Sequence, residues 1–425
     1  MKNLKKQDPK IYNAVVGEIK RQQNEIVLIA SENYSSEASL EAMGTPLSNK
    51  YSEGYPGKRY YAGNKFIDII EQEAIDRAKK IFKAEHANVQ PHSGSQANQA
   101  AYLAVINPGD RVLGMSLDQG GHLTHGSPVN ASGKLYKFFS YGVDKKTETF
   151  NYDEIEKIAK KVKPKLIVCG ATAYPRRIDF KRFRQIADKC GAYLMADVAH
   201  IAGLVVAGVH PHPFPYCDIV TTTTHKTLRG PRAGMIMCKT KDRLDSKGKF
   251  TLAQKIDKAV FPGLQGGPLD NMIAAKAIIF KEAMSPSFKT YQKQIVKNAA
   301  AMAKQLKKEG FRIVSGGTDN HLILFDVSNF AASSRNVQDT LEKVGIHTNR
   351  NAVPFDKKPP FDPSGMRIGT AAITTRGFKE KESIRVAELI ALAIKNLDNK
   401  KVLKEVSAEV NKLCKKFPIY KNLKY

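Results

Sequence analysis

The sequence predicts an α/β fold in which helices cover a mostly parallel sheet and a smaller α+β domain follows. Short apolar strands alternate with amphipathic helices between residues 111 and 238, a pattern typical of parallel sheets covered on both faces. This regular alternation ends after Pro286. The chain has 425 residues with 42% hydrophobic content, enough to fill two or three domains.

The individual elements follow from apolar periodicity and from the positions of Gly and Pro. Helices are predicted at residues 11–21, 66–82, 97–106, 180–190, 273–284, 291–309, 336–344 and, as the last helix, 386–397. Strands are predicted at residues 111–115, 166–169, 192–197, 219–224, 234–238, 312–314 and 322–327. Residues 31–63 are polar and rich in Gly and Tyr, which predicts an irregular segment.

Charge and cysteine content limit the classes of protein. The formal net charge is +27, but the basic residues alternate with acidic and apolar ones in helical patterns, which favours a solvated surface over a nucleic-acid site. Five cysteines without a CxxC pair are typical of reduced, structural thiols. We find no apolar signal core at the N-terminus and no apolar run of transmembrane length. We therefore expect a soluble, cytoplasmic protein that binds neither membrane nor nucleic acid.

A lysine follows the most β-branched stretch of the chain. Residues 219–224 are β-branched at every position, which predicts a buried strand, and Lys226 follows two positions later. Open α/β sheets place their ligands at the carboxyl ends of strands. A desolvated lysine there is a competent amine nucleophile that can form a Schiff base, although a strand-end lysine can also simply reach solvent.

Three other segments carry polar groups that suit binding, and each also has a structural explanation. Ser93-Gly94-Ser95 precedes an Ala-rich helix and offers free backbone N–H groups to a phosphate, but Ser is also a common helix cap. Four tyrosines and Glu53 lie in the irregular segment 51–61 and either bind a ligand or pack in a solvent loop. His122 and His125 form an HxxH pair, but we identify no third ligand cluster in the sequence, so we expect no metal.

Taken together, these features suit pyridoxal phosphate. Asp197 ends a predicted strand, and Lys226 follows a later one 29 positions on. The phosphate would lie at the helix start near Ser93, the lysine would bind the aldehyde, and the aspartate would keep the pyridine nitrogen protonated. The occurrence of all three in this order is much harder to attribute to chance than any one of them alone.

Eight ordered motifs resemble the serine hydroxymethyltransferase family in its bacterial-length form, from about residue 26 to the C-terminal helix. They are LIASENY, YSEGYPGKRYY, HANVQPHSGSQAN, GGHLTHGSPVN, DVAHIAGLV, TTTTHKTLRGPR, FPGLQGGPL and RIGTAAITTRGF. The resemblance implies the fold-type-I pyridoxal phosphate architecture with its seven-stranded type of sheet. It implies an N-terminal helix and dimer-clasping arm at 1–80, a large cofactor-binding domain at 81–284 and a small C-terminal domain at 285–425. It also implies that the enzyme moves the hydroxymethyl carbon of serine to tetrahydrofolate, giving glycine and 5,10-methylenetetrahydrofolate.

The resemblance also assigns residues to roles. Lys226 would hold pyridoxal phosphate as a Schiff base, Asp197 would pair with the pyridinium, and catalysis would involve Lys226, Glu53, His225 and Tyr61. Other cofactor contacts would come from Ser93, Gly94, Ser95, His122, Thr172 and His200, with Tyr51, Gly266 and Gly267 reaching in from the second subunit of a homodimer. Serine would be bound by Ser31, Glu53, Tyr60, Tyr61 and Arg367, and folate by Leu117, Gly121, His122, Leu123 and Asn351.

Two other functions remain to be weighed. A folate-independent aldolase that cleaves threonine and other β-hydroxy amino acids would keep Lys226, Asp197 and Arg367, but the SENY, EGYPGKRYY and GGHLTHG segments argue against it. A basic nucleic-acid-binding protein would explain the net charge, but it would not explain the ordered cofactor motifs.

Overall fold

The computed structural model describes residues 1–331 and 333–423, which pack as two compact units. The large unit is Asn33–Lys293, and the small unit combines Met1–Glu32 with Gln294–Tyr425. The predicted division into domains at 1–80, 81–284 and 285–425 stays a prediction. The two compact units divide the chain after Glu32 and after Lys293.

The described residues contain the following regular elements. The strands are β1 Ile26–Val27, β2 Gly54–Tyr55, β3 Lys58–Arg59, β4 His86–Asn88, β5 Arg111–Met115, β6 Lys137–Tyr141, β7 Leu166–Gly170, β8 Tyr193–Asp197, β9 Ile219–Thr223, β10 Gly234–Cys238, β11 Arg312–Ile313, β12 Leu322–Asp326, β13 Ile346–His347, β14 Asn349–Asn351 and β15 Gly365–Gly369. The helices are α1 Lys2–Gln7, α2 Pro9–Asn24, α3 Glu37–Met43, α4 Lys65–Phe82, α5 Gly94–Val105, α6 Ala131–Leu135, α7 Tyr152–Val162, α8 Phe180–Cys190, α9 Ala202–Val206, α10 Leu252–Lys258, α11 Asp270–Ala283, α12 Pro286–Lys308, α13 Ser334–Lys343, α14 Ala371–Thr375, α15 Glu380–Ile394 and α16 Lys400–Lys416.

A seven-stranded sheet in the order β4-β10-β9-β8-β7-β5-β6 forms the centre of the large unit. Strands β6, β5, β7, β8 and β9 run parallel, whereas β10 is antiparallel to both β9 and β4. Every residue of β7, β9 and β10 is buried, which explains their continuous apolar or β-branched sequences. The predicted α/β class with a mostly parallel sheet is confirmed.

The small unit contains a four-stranded antiparallel sheet in the order β11-β12-β15-β14. The first residues of the chain belong to this unit because β1 pairs in parallel with β13. Arg376 reinforces this attachment, since its guanidinium donates to backbone carbonyls of Gln22, Glu25 and Phe417, among others. A buried cation that serves several carbonyls holds distant segments together.

The sequence reading missed several elements. The helix predicted as the last one is α15, and a further helix, α16, follows it. Its buried face is Val406, Val410 and Cys414, a four-residue spacing that was present in the sequence. Strands β4 and β6 and helix α7 were not predicted either.

Two general properties can be read from the structure. Within residues 1–331 and 333–423, every helix is too short or too polar to cross a membrane. The five cysteines are free thiols, and four of them, at positions 169, 217, 238 and 414, are buried.

Candidate active site

The structure brings Lys226 and Asp197 to the same edge of the seven-stranded sheet. Asp197 is the last residue of β8, which pairs in parallel with β9, the strand that precedes Lys226. The two following loops are joined by Thr227, whose hydroxyl donates to the carbonyl of His200 (3.0 Å) and accepts from the N–H of Gly203 (3.0 Å). Lys226 itself is buried, with 8% of its surface exposed. This edge of the sheet therefore has a carboxylate at the end of β8 and an amine just after the end of the neighbouring β9.

The carboxylate of Asp197 is held by three hydrogen bonds. Its Oδ2 accepts from Asn98 Nδ2 (2.9 Å) and from His125 Nε2 (3.0 Å), and its Oδ1 accepts from the N–H of Ala199 (3.0 Å). Burial alone would raise the pKa of Asp197, but the hydrogen bond and charge of His125, together with Asn98, hold that pKa well below its usual range. An ionised carboxylate in this position can pair with a protonated ring nitrogen.

His122 is held in one tautomer by the same network. Its Nδ1 accepts from the backbone N–H of Thr124 (3.2 Å) and lies 2.7 Å from the Thr124 hydroxyl. That hydroxyl accepts from Asn98 Nδ2 (2.8 Å), so its own proton points to Nδ1. Because Nδ1 accepts both hydrogen bonds, the proton of a neutral His122 ring lies on Nε2.

The turn before α5 offers an anion site. The hydroxyl of Ser93 caps this helix by accepting from the N–H of Gln96 (3.2 Å), and Ser95 is exposed in the first turn. At Gly94 a Cβ atom would lie 2.6 Å from Thr223 Cγ2, so only glycine allows this close approach to the end of β9. The buried Thr223 hydroxyl has no hydrogen-bond partner in the described part of the chain. A capped helix N-terminus beside an unsatisfied hydroxyl fits a phosphate group.

Two further histidines lie near Lys226. His200 is 3% exposed. Burial, together with the charges of Lys226 and Arg232, lowers the pKa of His225 to about 3, so this ring is neutral at physiological pH. Its Nδ1 is buried and has no partner among the described residues, which leaves it available to a ligand.

The loop after β5 presents apolar groups on a constrained backbone. At Gly121 a Cβ atom would lie 2.1 Å from the carbonyl oxygen of Met115, so the close approach requires glycine. The hydroxyl of Thr172 donates to the Gly121 carbonyl (2.8 Å). Leu117 and Leu123 flank this turn, and each exposes nearly half of its surface. Exposed leucines on a fixed loop suit contact with a flat apolar ligand.

The tyrosine-rich segment packs against the Gly-rich turn of the same chain. The rings of Tyr51 and Tyr61 meet edge to face, with centroids 5.1 Å apart. A Cβ atom at Gly266 would lie 2.9 Å from Glu53 Oε1, and one at Gly267 would lie 3.3 Å from the Tyr51 ring. These predicted site residues therefore form one cluster, in which Tyr60 contacts Phe261. Tyr51, Tyr60 and Tyr61 are all about half exposed or more.

The predicted residues of the small unit also lie close together. Arg367 is on β15, where its Nε donates to Asn349 Oδ1 (3.1 Å), and burial lowers its pKa to about 10. Two residues later, Gly369 donates its N–H to the Leu28 carbonyl (2.7 Å), which brings the segment before Ser31 alongside β15. Asn351 ends β14, the strand that pairs with β15. The small unit thus presents a guanidinium with polar neighbours.

A comparison with protein families decides the identity. The family model for serine hydroxymethyltransferase matches residues 4–390 of the 425-residue chain. The chain belongs to the serine hydroxymethyltransferase family. It is a pyridoxal phosphate-dependent transferase of one-carbon metabolism that interconverts serine and glycine, with tetrahydrofolate as co-substrate. Nothing in the structure or in this match favours the aldolase alternative.

In this serine hydroxymethyltransferase, the site contains residues that sequence reasoning missed. His125 and Asn98 hold Asp197, and Thr124 orients His122. The expectation that the HxxH pair has no third partner is wrong, because ligand atoms of His122, His125 and Asp197 lie within 4.8 Å of one another. Within this group, His125 Nε2 is hydrogen-bonded to Asp197 Oδ2.

Asp270 and Asn271 also hold the segment that leads to Glu53. Ser52, next to Glu53, donates its hydroxyl to the carboxylate of Asp270 (2.7 Å), and both side chains are buried. Asn271 donates to the carbonyl of Met43 (2.8 Å). These two residues follow the GGPL turn, so they fix the segment that carries Glu53 to the turn it packs against.

Proposed function

We propose that Lys226, Asp197 and the Ser93–Gly94–Ser95 turn bind pyridoxal phosphate in this enzyme, and that Lys226 is joined covalently to it. The observation that carries this proposal is the pairing of a buried lysine and an ionised aspartate at the ends of adjacent parallel strands. The bound cofactor supplies an electron sink for the pair left when the Cα–Cβ bond of serine breaks.

The surrounding residues then have distinct tasks. Ser93, Gly94, Ser95 and Thr223 bind the phosphate, because they offer N–H and hydroxyl groups at a helix start. His122 covers the ring, while His200, His225 and Thr172 line the site. Tyr51, Gly266 and Gly267 contribute from a second subunit.

Substrate recognition uses a different set of groups. Arg367 forks onto the substrate carboxylate with help from Ser31, since a buried guanidinium favours a carboxylate partner. Tyr60 and Tyr61 line the serine site beside Glu53. The exposed Leu117 and Leu123, with Gly121, His122 and Asn351, contact folate. Glu53 moves the proton that accompanies release or capture of the one-carbon unit.

Replacing Glu53 with Gln tests this function. Gln keeps the shape of the side chain but cannot take up a proton, so we expect cofactor binding to be unchanged. Serine turnover with tetrahydrofolate is expected to fall by about 10²- to 10⁴-fold. The rate is measured with a coupled assay for methylenetetrahydrofolate, run with and without tetrahydrofolate so that folate-independent cleavage is measured separately.

Glu41→Gln is the matched control, because Glu41 is an exposed carboxylate on the nearby helix α3. It should retain full activity. A Glu53→Gln enzyme with the wild-type rate would show that Glu53 moves no proton in the reaction. Loss of cofactor from that variant would assign Glu53 a structural task instead.

We also propose that the enzyme is a homodimer whose active sites are formed from both chains. The support is a group of exposed aromatic and aliphatic side chains on the arm and on α4: Tyr51, Tyr60, Tyr61, Phe66 and Ile69. Several large exposed apolar side chains in nearby segments are typical of interfaces.

Mixing two inactive variants tests the shared site. If Glu53 serves the site that contains Lys226 of the other chain, Lys226→Ala and Glu53→Gln subunits form mixed dimers with one intact site. We expect such a mixture, after subunit exchange, to recover about a quarter of the wild-type activity, since half of the dimers are mixed. If mass spectrometry shows mixed dimers but the mixture stays inactive, Lys226 and Glu53 of each active site come from the same chain.

A cytoplasmic location completes the proposal. The free thiols at Cys169, Cys190, Cys217, Cys238 and Cys414 support it, because reduced cysteines are typical of compartments that keep thiols reduced.

A further inference from the structure

Lys276 is a buried cation that the assignments above leave unused. It lies on α11, only 1% of its surface is exposed, and it is among the largest fully buried side chains of the protein. Its ammonium donates to three backbone carbonyls, those of Val89 (2.5 Å), Pro91 (3.2 Å) and Gly234 (2.8 Å). All three hydrogen-bonding positions of the ammonium are thereby used.

No carboxylate of the described residues forms a salt bridge with Lys276. Glu71 is the carboxylate whose charge raises the pKa of Lys276. The direct partners of Glu71, however, are Arg59 (2.6 Å) and Gln90 (2.7 Å). Burial lowers the pKa of Lys276 to about 7, whereas the charge of Glu71 opposes this shift. The three carbonyl acceptors favour the protonated ammonium. A buried lysine without an acidic partner lowers the free energy of unfolding, which indicates that its charge has a function.

The three carbonyls surround the back of the phosphate turn. Pro91 comes two residues before Ser93, and its carbonyl accepts from both Lys276 and the N–H of Gly234 (3.1 Å). Gly234 lies so close to the turn that a Cβ atom there would be 2.3 Å from the Ser93 carbonyl oxygen and 2.9 Å from the Gly94 nitrogen. The ammonium therefore binds the backbone that leads into the N–H groups at the start of α5.

We propose that Lys276 is a positioning residue for the cofactor phosphate, because it fixes the Pro91–Gly94 backbone and adds a buried positive charge behind it. This inference rests on the proposed binding of the phosphate at Ser93–Ser95. The charge acts through the turn without contacting the phosphate, and the low dielectric around it keeps its field strong. The helix start and the ammonium then favour the same dianionic group.

Two ligands that differ only in the phosphate separate this role from a purely structural one. Equilibrium dialysis measures the affinity of the apoenzyme for pyridoxal phosphate and for pyridoxal. In Lys276→Met and Lys276→Gln the affinity for pyridoxal phosphate should fall by about 10- to 100-fold, because the positive charge that favours the phosphate is removed. The affinity for pyridoxal should change by less than about 3-fold, because pyridoxal carries no phosphate.

Lys281→Met is the matched control, since it removes the same charge from an exposed position on the same helix. It should leave both affinities unchanged. Gln keeps N–H donors but carries no charge. If both Lys276 variants bind pyridoxal phosphate more weakly, the missing charge is therefore the cause. The inference is overturned if the affinities for the two ligands fall equally, if neither affinity changes, or if both variants fail to fold. Lys276 would then only stabilise the structure. If wild-type enzyme bound the two ligands equally well, the phosphate site itself would be wrong.

Discussion

Replacing Lys226 with Ala is expected to lower serine turnover with tetrahydrofolate by at least about 10³-fold. If the cofactor is bound covalently as proposed, the variant should also lose the yellow colour that this link gives. The reason is chemical, since in the proposed function the lysine amine joins the aldehyde of pyridoxal phosphate. The side chain lies at the end of β9 and is buried, so truncation leaves the sheet intact.

The covalent link itself is measured by borohydride reduction followed by intact mass spectrometry. Wild-type enzyme should gain the mass of one reduced cofactor per chain, and Lys226→Ala should gain none. Lys226→Arg is the informative partner variant, because it keeps a positive charge but has no amine able to form the link. Cofactor retained covalently in either variant would mean that another lysine carries it. Thermal melts of both apoproteins should match that of wild type.

The centre of the large sheet could be predicted from sequence because burial on both faces leaves a clear compositional signal. The strands at 111–115, 219–224 and 234–238 were predicted to within a residue of β5, β9 and β10. The two strands of this sheet that were missed, β4 and β6, are its two outermost strands. β4 has three residues, and β6 is largely exposed, so neither carries an apolar run long enough to predict a strand.

The candidate site was predictable only where one residue type is unusual at its position. Lys226 after a β-branched strand and Asp197 at a strand end stand out in the sequence, and the structure brings them to one edge. His125 did not stand out as a partner of Asp197, since 72 positions separate the two. Lys276 lies in a helix with ordinary helical composition, and only the folded structure shows that its ammonium is buried against the backbone that precedes α5.

Asp197→Asn is expected to reduce serine turnover by about 10³-fold, which corresponds to about 4 kcal/mol of transition-state stabilisation. Asn has nearly the same shape, and its oxygen can still accept from Asn98 or His125. What it lacks is the negative charge that, in the proposed function, keeps the pyridine nitrogen protonated. Since the pKa of Asp197 is held well below its usual range, the wild-type carboxylate is ionised throughout the neutral range. The deficit should therefore be the same at every pH between about 6 and 9.

Steady-state kinetics across that pH range, together with cofactor affinity by dialysis, measures the effect. Asp197→Glu keeps the charge on a longer side chain and should recover part of the rate that Asn loses. His125→Gln should show a smaller loss than Asp197→Asn, because it removes one donor to the carboxylate and leaves Asn98 and Ala199 in place. If Asp197→Asn kept the wild-type rate, the ring nitrogen would need no anionic partner. The buried network of Asp197, His125 and Asn98 would then serve only to join α5 and the loop after β5 to the end of β8.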